Sequence, residues 1–308
     1  MKTFITVLIL LSVFISYCYG DTNNLPKVYF TEDISPKGIE KVYKALGKAP
    51  KKEQKVAVKI STGEPGGHNF LSPALIKDFV ISINGTIVEC NTAYGGKRGD
   101  TESHRQAAKD HGFTFVPVDI MDADGGREIP IKNGKHLKYD LVGSHFFNYD
   151  FYVILSHFKG HAMAGFGGAV KNMSIGIASS EGKAYIHGAG DPKLLWKADH
   201  DSFLESMAEA ANAVAKERKD NIIYINVMNK LSVDCDCDSS PADPTMLDVG
   251  ILASADPIAL DRACVDLVYK SKDGKDLIER IESRNGCHTL DYGEKIGLGS
   301  QKYTLIKL

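Results

Sequence analysis

The sequence alternates between short apolar runs rich in β-branched residues and longer segments with helical spacing, and this alternation most constrains the fold. The runs are 55–60, 86–89, 151–156, 222–227 and 247–253. Runs this short, with few charges, are typical of strands buried on both faces of a sheet. The helical segments are 72–83, 102–111, 201–216, 257–269 and 275–283. We therefore expect an α/β fold with a mostly parallel sheet covered by helices, in one body or two lobes.

One stretch departs from this alternation. Residues 128–142 favour a short antiparallel excursion, with a turn at Asn133-Gly134 between Ile131 and Leu137. No internal repeat or linker divides the chain, which predicts a single α/β domain over residues 21–308.

The N-terminus resembles a secretory signal. Lys2 precedes an uncharged apolar run that ends in Cys18-Tyr-Gly20, a small-x-small pattern typical of signal-peptidase cleavage. The run is shorter than the roughly 20 residues that a membrane-spanning helix needs, which argues against an anchor. Bulky Tyr17 argues against a lipoprotein modified at Cys18. The expectation is a signal peptide over residues 1–20, a secreted or periplasmic protein, and no membrane association after cleavage.

Charge and cysteine content limit the partners. Lys plus Arg number 37 and Asp plus Glu 39, so no basic excess is available to bind a phosphate backbone, and nucleic acid is not an expected partner. Removal of the signal leaves an odd number of cysteines, so at least one thiol is free, metal-bound or paired with another molecule. Asn84 and Asn172 lie in glycosylation sequons that a eukaryotic host could use if they are exposed.

The segment from Leu155 to Asn172 is the strongest candidate site. It follows an expected strand and should open into a helix, and ligands of α/β sheets collect at such strand ends. Its glycines would let backbone N–H groups approach an anion, two lysines would add charge, and a histidine could transfer a proton. The candidate residues are Lys159, His161, Gly165, Gly167, Gly168, Lys171 and Asn172. The alternative is a tight turn with solvated lysines.

Further candidates lie outside that segment. His187 occupies a second glycine-flanked turn, and His104 follows the Gly-rich stretch 94–99. Residues 61–69, rich in Gly and polar groups, form a ligand loop or an ordinary surface turn. In Asp234-Cys-Asp-Cys-Asp238, Cys235 and Cys237 could bind a soft metal with help from elsewhere, form a disulfide with another cysteine, or be structural. For Asp248, Asp256 and Asp261, capping is the simpler interpretation.

These motifs together resemble a bacterial and archaeal family, domain of unknown function 362, often described as iron-sulfur-centre proteins. The resemblance rests on Thr92-x-Tyr-Gly-Gly, on the 156–172 segment with its Gly-Phe-Gly-Gly core, on Cys235-Asp-Cys237 and on Ala253-Ser-x-Asp-Pro257. Many members carry a ferredoxin-like insert after the position of His187. This chain lacks that insert, so we do not expect a ferredoxin-type iron-sulfur cluster.

A more distant resemblance is to the nickel-pincer lactate racemases, through His-x3-Gly-aromatic-x-Gly-Gly-x-Lys and a second histidine sixteen residues after the lysine. By position, the resemblance implies Lys171 as cofactor tether, His187 as metal ligand and His161 as proton carrier. His104 would be a second acid/base. The racemases' Asp-x-Thr-Arg-Pro segment is absent, and a cofactor assembled in the cytosol would not survive export of an unfolded chain. The resemblance therefore implies a shared fold and pocket rather than a shared cofactor.

The leading hypothesis is an exported enzyme, with oxidoreductase and racemase-like chemistry both open. It would act on a small anionic substrate by proton or hydride transfer next to a carboxylate. Lys159, Lys171 and His161 would act in catalysis, and His187, with Cys235 and Cys237, could hold a transition metal. The alternative is a non-catalytic extracellular protein that binds a metal ion or an organic anion.

Overall fold

The computed structural model describes residues 25–308, so the expected signal peptide lies outside the described residues. The strands are β1 (Lys27–Thr31), β2 (Val56–Lys59), β3 (Gly85–Glu89), β4 (Val118–Ile120), β5 (Gly126–Pro130), β6 (Tyr139–Gly143), β7 (Phe151–His157), β8 (Lys159–His161), β9 (Gly165–Gly167), β10 (Ile222–Met228), β11 (Gly250–Ser254) and β12 (Thr304–Lys307). The α-helices are α1 (Pro36–Leu46), α2 (Pro73–Ser82), α3 (Thr101–Asp110), α4 (Ala169–Ser174), α5 (Ser180–His187), α6 (His200–Arg218), α7 (Pro257–Lys270), α8 (Lys275–Ser283) and α9 (His288–Lys295).

Eight of the strands form one mixed sheet in the order β12-β1-β11-β10-β7-β2-β3-β4. The five strands from β10 to β4 pair in parallel, and β11 runs antiparallel to both of its neighbours. The chain moves outward in one direction from β2 to β4 and in the other from β7 to β10. This reversal between β2 and β7 opens a crevice at the carboxyl ends of the strands, the usual ligand position in such sheets.

The predicted alternation is confirmed, since each of the five expected strands and five expected helices matches an observed element within a few residues. The α/β class and the antiparallel excursion, formed by β5 and β6, are confirmed as well. Asn133 in the expected turn adopts a left-handed conformation, with φ 62°.

The 155–172 segment differs from its expected form. Instead of one loop that opens into a helix, it first makes a two-stranded antiparallel sheet of β8 and β9 and only then enters α4. Strands of three residues carry no readable periodicity, which is why the pattern did not predict them.

The apolar core lies on both faces of the sheet. Val58, Val153 and Ile225 belong to one buried cluster, and Ala57, Ile154 and Tyr224 belong to the other, as expected when alternate side chains of buried strands point to opposite faces. Asp256 caps α7 by accepting hydrogen bonds from the N–H groups of Ile258 and Ala259, both at 2.9 Å, which confirms its expected capping role. Within residues 25–308, none of the helices combines the length and apolar character needed to cross a membrane.

Candidate functional site

A cavity of about 860 Å³ opens at the carboxyl ends of β2, β3 and β7. Four parts of the chain enclose it: residues 61–65, residues 92–98, the β8–β9 sheet with α4, and residues 234–239. Each was singled out in the sequence, although nothing there indicated that all four meet.

Asn172 closes the crevice between β2 and β7. Its Nδ2 donates to the carbonyl oxygens of Lys59 (3.1 Å) and Leu155 (3.3 Å) and to Ser156 Oγ (3.0 Å), and its Oδ1 accepts from Lys59 Nζ (3.1 Å). The side chain of Asn172, a candidate ligand-binding residue, therefore already connects β2 to β7. Glycosylation of Asn172 would remove these contacts, whereas Asn84 of the other sequon is exposed.

Two buried ion pairs form one wall. Lys59 Nζ lies 2.9 Å from Glu89 Oε2, and Arg98 Nε lies 2.9 Å from Glu64 Oε2. Burial opposes ionisation of Glu89, but the charges of Lys59, His104 and Arg98 outweigh it and hold the pKa of that carboxyl well below its usual range. Glu89 is therefore a fixed anion.

Asp236 organises the opposite wall. Its carboxylate lies 2.8 Å from His157 Nδ1 and 2.7 Å from Lys159 Nζ, while His157 Nε2 lies 2.6 Å from the carbonyl oxygen of Asn229. Both nitrogens of His157 thus face oxygen acceptors, so the ring connects Asp236 to the backbone of Asn229. Although burial opposes the charge of Asp236, Lys159 and His157 hold its pKa well below the usual range. Lys159, expected to contact substrate, is thus already paired.

Lys171 differs from Lys59, Lys159 and Lys183, the buried lysines of the cavity that have partners. Among the described residues its Nζ has no carboxylate within salt-bridge distance and no hydrogen-bond partner, although it faces the cavity. Burial, and then the charge of Lys159, lower the pKa of Lys171 to about 7. Near neutral pH this amine exists in both protonation states, as a proton carrier requires.

His161 is held in one tautomer. Its Nδ1 accepts hydrogen bonds from the backbone N–H groups of Met163 (3.2 Å) and Ala164 (2.9 Å), so the neutral ring carries its proton on Nε2. Burial, and then the charge of Lys171, hold the pKa of His161 well below its usual value. His161, expected as a proton carrier, therefore has no free lone pair at Nε2 in its neutral form. In its neutral form it offers an N–H donor.

His187 has the opposite tautomer. Its Nδ1 donates to the carbonyl oxygen of Lys183 at 2.7 Å, which leaves a lone pair on Nε2, and burial lowers its pKa to about 4. The ring stacks on Phe203 and meets Trp196 edge-on, each at 4.9 Å between centroids. A neutral, oriented imidazole of this kind fits the expected role of transition-metal ligand.

The glycines of the segment serve packing more than ligand binding. The N–H groups of Ala169 and Val170, at the start of α4, donate to the carboxylate of Asp261 at 2.8 and 2.9 Å, so they are not free for the expected anion. A Cβ on Gly168 would lie 2.4 Å from that carboxylate, and one on Gly167 would meet the stem of Lys171 at 3.3 Å. Gly165, with φ 76°, packs against Gly286 outside the cavity lining.

His104 does not reach the cavity. It is fully buried, its Nδ1 lies 3.2 Å from Asn91 Oδ1 and its Nε2 lies 3.9 Å from Glu89 Oε1. His104, expected as a second acid/base, therefore lies behind Glu89 and is not part of the cavity lining.

Cys235 and Cys237 form a disulfide with each other, rather than with another cysteine of the chain. In this form neither sulfur is a thiolate ligand. His187 was expected to hold a metal ion together with these two cysteines. The histidine that lies near both sulfurs is instead His161: ligand atoms of His161, Cys235 and Cys237 lie within 4.8 Å of one another, and His187 is outside this group.

The sequence analysis assigned no role to most of the charged or titratable residues that form the walls, namely Lys59, Glu64, Glu89, Arg98, His157, Lys183 and Asp236. Several carried a signal, because a charged residue at the end of an otherwise apolar strand must find a partner when buried. Lys59 and Glu89 are of this kind.

The chain matches one known protein family over most of its length. The family described as Domain of unknown function (DUF362) matches residues 56–266, more than half of the chain. The chain belongs to this family. The matched range includes the four cavity-forming parts, so the cavity of this DUF362 chain lies within the family domain.

No curated protein matches this DUF362 chain. Among solved structures, it is similar to the lactate racemase apoprotein from Thermoanaerobacterium thermosaccharolyticum, with a TM-score of 0.38, 17% identity, and coverage of 65% of this chain and 50% of that one. It is also similar to a Thermotoga maritima protein, with a TM-score of 0.42, 15% identity, and coverage of 84% and 58%. The chain thus spans between half and three fifths of their lengths.

Proposed function

We propose that the cavity binds a small organic anion, such as a carboxylate, and that Lys171 exchanges a proton with it. The observation that carries this proposal is the unpaired amine of Lys171, beside carboxylates that already have cationic partners. Burial removes the Lys171 ammonium from water without giving it a partner, which is costly, and a bound anion would offset that cost.

The charges buried in the walls support an anionic ligand. Lys59, Arg98 and Lys159 are matched by Glu89, Glu64 and Asp236, while Lys183 donates to the carbonyl oxygens of Ala178 and Cys90. Lys171 comes in addition to these. The pairs act as a rigid frame, and an anion in the cavity would meet the unpaired positive charge of protonated Lys171.

The two tautomers divide the remaining chemistry. His161 would donate its Nε2–H to a developing negative charge, and His187 would supply the lone pair of its Nε2. With Lys171 as the proton carrier, this set suits proton transfer at the carbon next to a carboxylate. His187 could alternatively hold a transition metal, which would polarise a bound oxygen.

The test is proton exchange in deuterium oxide. Short carboxylates that carry a hydrogen on the adjacent carbon are incubated with the protein, and NMR follows replacement of that hydrogen by deuterium. We expect exchange with at least one carboxylate, its loss in Lys171→Met, and its retention in Lys216→Met, a matched change at an exposed lysine on α6. Exchange that survives in Lys171→Met would overturn the assigned role.

The second candidate is a binder without turnover, favoured by the tautomer of His161, which leaves no lone pair at Nε2. Calorimetry separates the two. Binding of a carboxylate that depends on Lys171, without any deuterium exchange, would establish a binding protein.

A further inference from the structure

The disulfide between Cys235 and Cys237 lies in the wall of the cavity. Cys235 is 6% exposed, Cys237 is partly exposed, and both line the open space. The other cysteines of residues 25–308, Cys90, Cys264 and Cys287, carry free thiols and do not belong to the metal-compatible group. The cavity therefore presents one dithiol pair in oxidised form.

A histidine is positioned beside the two sulfurs. One ligand atom each from His161, Cys235 and Cys237 lies within 4.8 Å of the other two, so a single ion could contact all three after small side-chain movements. Two thiolates and an imidazole match the preference of Zn²⁺ and of other thiophilic divalent ions.

We propose that this disulfide is reducible and that its dithiol form, together with His161, binds a thiophilic divalent metal ion. In the first step a dithiol reductant gives two electrons and two protons to the Cys235–Cys237 bond. This bond breaks into two thiols, and the reductant becomes a cyclic disulfide. In the second step the metal ion binds both sulfurs and two protons leave. The disulfide and the metal exclude each other because both use the same sulfur atoms.

The segment is held by contacts that do not involve the S–S bond. The N–H of Glu64 donates to the carbonyl oxygen of Asp236 at 2.8 Å, and the carboxylate of Asp236 is bound by His157 and Lys159. Arg280 donates to the carbonyl oxygen of Val233 at 2.8 Å. We therefore expect the backbone to stay in place on reduction, which leaves both thiols facing the cavity.

Two cations lie beside this segment, and each is paired with one of its carboxylates. Lys159 Nζ lies 2.7 Å from Asp236, and Arg280 lies 3.2 Å from Asp234. A bound metal ion would itself favour the thiolates, which are its ligands once the two protons leave.

The three ligands are not equivalent. His161 must give up either its Nε2 proton or the two backbone hydrogen bonds to Nδ1 before it can bind an ion. The thiolates therefore supply most of the affinity, and His161 contributes less.

The experiment compares oxidised and reduced full-length protein with Co²⁺ as the probe. The protein is reduced with a dithiol, freed of the reductant under anaerobic conditions and titrated, and the sulfur-to-cobalt charge-transfer absorption is recorded. We expect one Co²⁺ per reduced chain, displaced by Zn²⁺, and at least 100-fold weaker binding to the oxidised chain. Equal binding in both states, or reduced protein without the absorption band, would overturn the proposal.

Variants assign the ligands. Cys237→Ser should abolish the absorption band. His161→Ala should weaken Co²⁺ binding about tenfold but retain the band. Cys287→Ser, a matched control at a free cysteine, should change neither the affinity nor the band. Loss of the band in Cys287→Ser would place the metal elsewhere. If Cys237→Ser does not fold, alkylation of the reduced parent chain is measured instead. We expect Zn²⁺ to protect Cys235 and Cys237, but not Cys287, from alkylation. Alkylation of Cys235 and Cys237 in the presence of Zn²⁺ would contradict the proposed metal site.

This proposal goes beyond anion binding and can fail separately from it. Lys171→Met should lose carboxylate binding and retain Co²⁺ binding in the reduced state. A chain that binds cobalt but no carboxylate would refute the proposed function alone.

Discussion

Two groups of buried charges in this chain differ in whether every charge has a partner. The first is on α6, where Glu205 and Glu209 face the β5–β6 connection and α9. Glu205 accepts from Lys135, His136 and His288, and Glu209 accepts from the backbone N–H groups of Lys135 and Leu137 and from Tyr292 Oη. Burial opposes ionisation of Glu205, but these bonds lower its pKa to about 2.

The second group lines the cavity. Its buried carboxylates Glu64, Glu89 and Asp236 each pair with a cation, whereas Lys171 has no partner among the described residues and burial lowers its pKa. On α6, where every buried charge has a partner, the paired side chains connect elements of the fold. Where one charge remains unpaired beside open space, as at Lys171, the proposed anion would supply the missing partner.

The largest effect is expected from Asp236→Asn. Loss of this carboxylate leaves Lys159 buried without a counter-charge and His157 without its carboxylate partner, which should lower the free energy of unfolding by about 3–5 kcal/mol. Urea denaturation measures it. A loss below about 1 kcal/mol would mean that this wall of the cavity does not depend on the charge of Asp236, so pairing would not distinguish the two groups.

Glu209→Ala should come next. It removes the acceptor of three backbone N–H groups, those of Lys135, His136 and Leu137, and of the Tyr292 hydroxyl, which should cost about 3 kcal/mol of unfolding free energy. Carboxylate affinity at the cavity should not change, because this cluster joins elements of the fold away from the cavity lining. Urea denaturation and calorimetry on the same variant check both parts, and a large change in affinity would contradict the separation of the two groups.

Lys171→Met should show the reverse pattern. Because the Lys171 side chain has no partner to lose, the free energy of unfolding of this variant should stay within about 1 kcal/mol of that of the parent protein. Carboxylate affinity should fall at least tenfold, which equals about 1.4 kcal/mol. Destabilisation as large as that of Glu209→Ala would show that Lys171 is structural.

The pH dependence sharpens this point. Because the pKa of Lys171 is about 7, the ammonium form is lost as pH rises through that value, so carboxylate affinity should be full below pH 7 and fall above it. Deuterium exchange at saturating carboxylate should instead rise, since the neutral amine takes up the proton. Lys171→Arg keeps its charge, so its affinity should be flat over this range. A fall equal to that of the parent protein would assign the titration to another group.

The smallest effect concerns Asp140, a buried carboxyl with no hydrogen-bond partner at either oxygen. Burial raises its pKa well above the usual value, so the folded chain holds this proton more tightly than the unfolded chain and loses stability as pH rises above about 4. Asp140→Asn should remove this loss and be more stable than the parent by about 1 kcal/mol at pH 7, but not at pH 4. Thermal unfolding at both pH values tests this, and an equal difference at the two would contradict it.

Local pattern was sufficient for much of the fold. Apolar runs such as 151–156 and 222–227 predicted strands because a residue flanked by apolar neighbours on both sides must be buried on both faces of a sheet. The same logic placed the ligand segment after β7. It failed at β8 and β9, where three residues give no period, and it did not predict β1, β4 or β12, which are short or lie at the edge region of the sheet.

The candidate site was only half visible in the sequence. Lys171, His161, His187 and the cysteine pair were recognisable as chemistry-bearing residues from their spacing. Their states were not, because the tautomer of His161 depends on two backbone N–H groups, and the availability of the α4 N–H groups depends on Asp261, 92 residues away.

The sequence by itself determined the α/β class, the family and the segments that surround the cavity, because periodicity and motif spacing are local properties of the chain. Tertiary structure alone decided which charges are paired. Lys59 meets Glu89, Lys159 meets Asp236, and Lys171 meets neither, since each pairing joins strands or loops far apart in the chain. The strength of a buried charge's interaction depends on distance and on removal from water, and both are set only when the sheet brings those strand ends together.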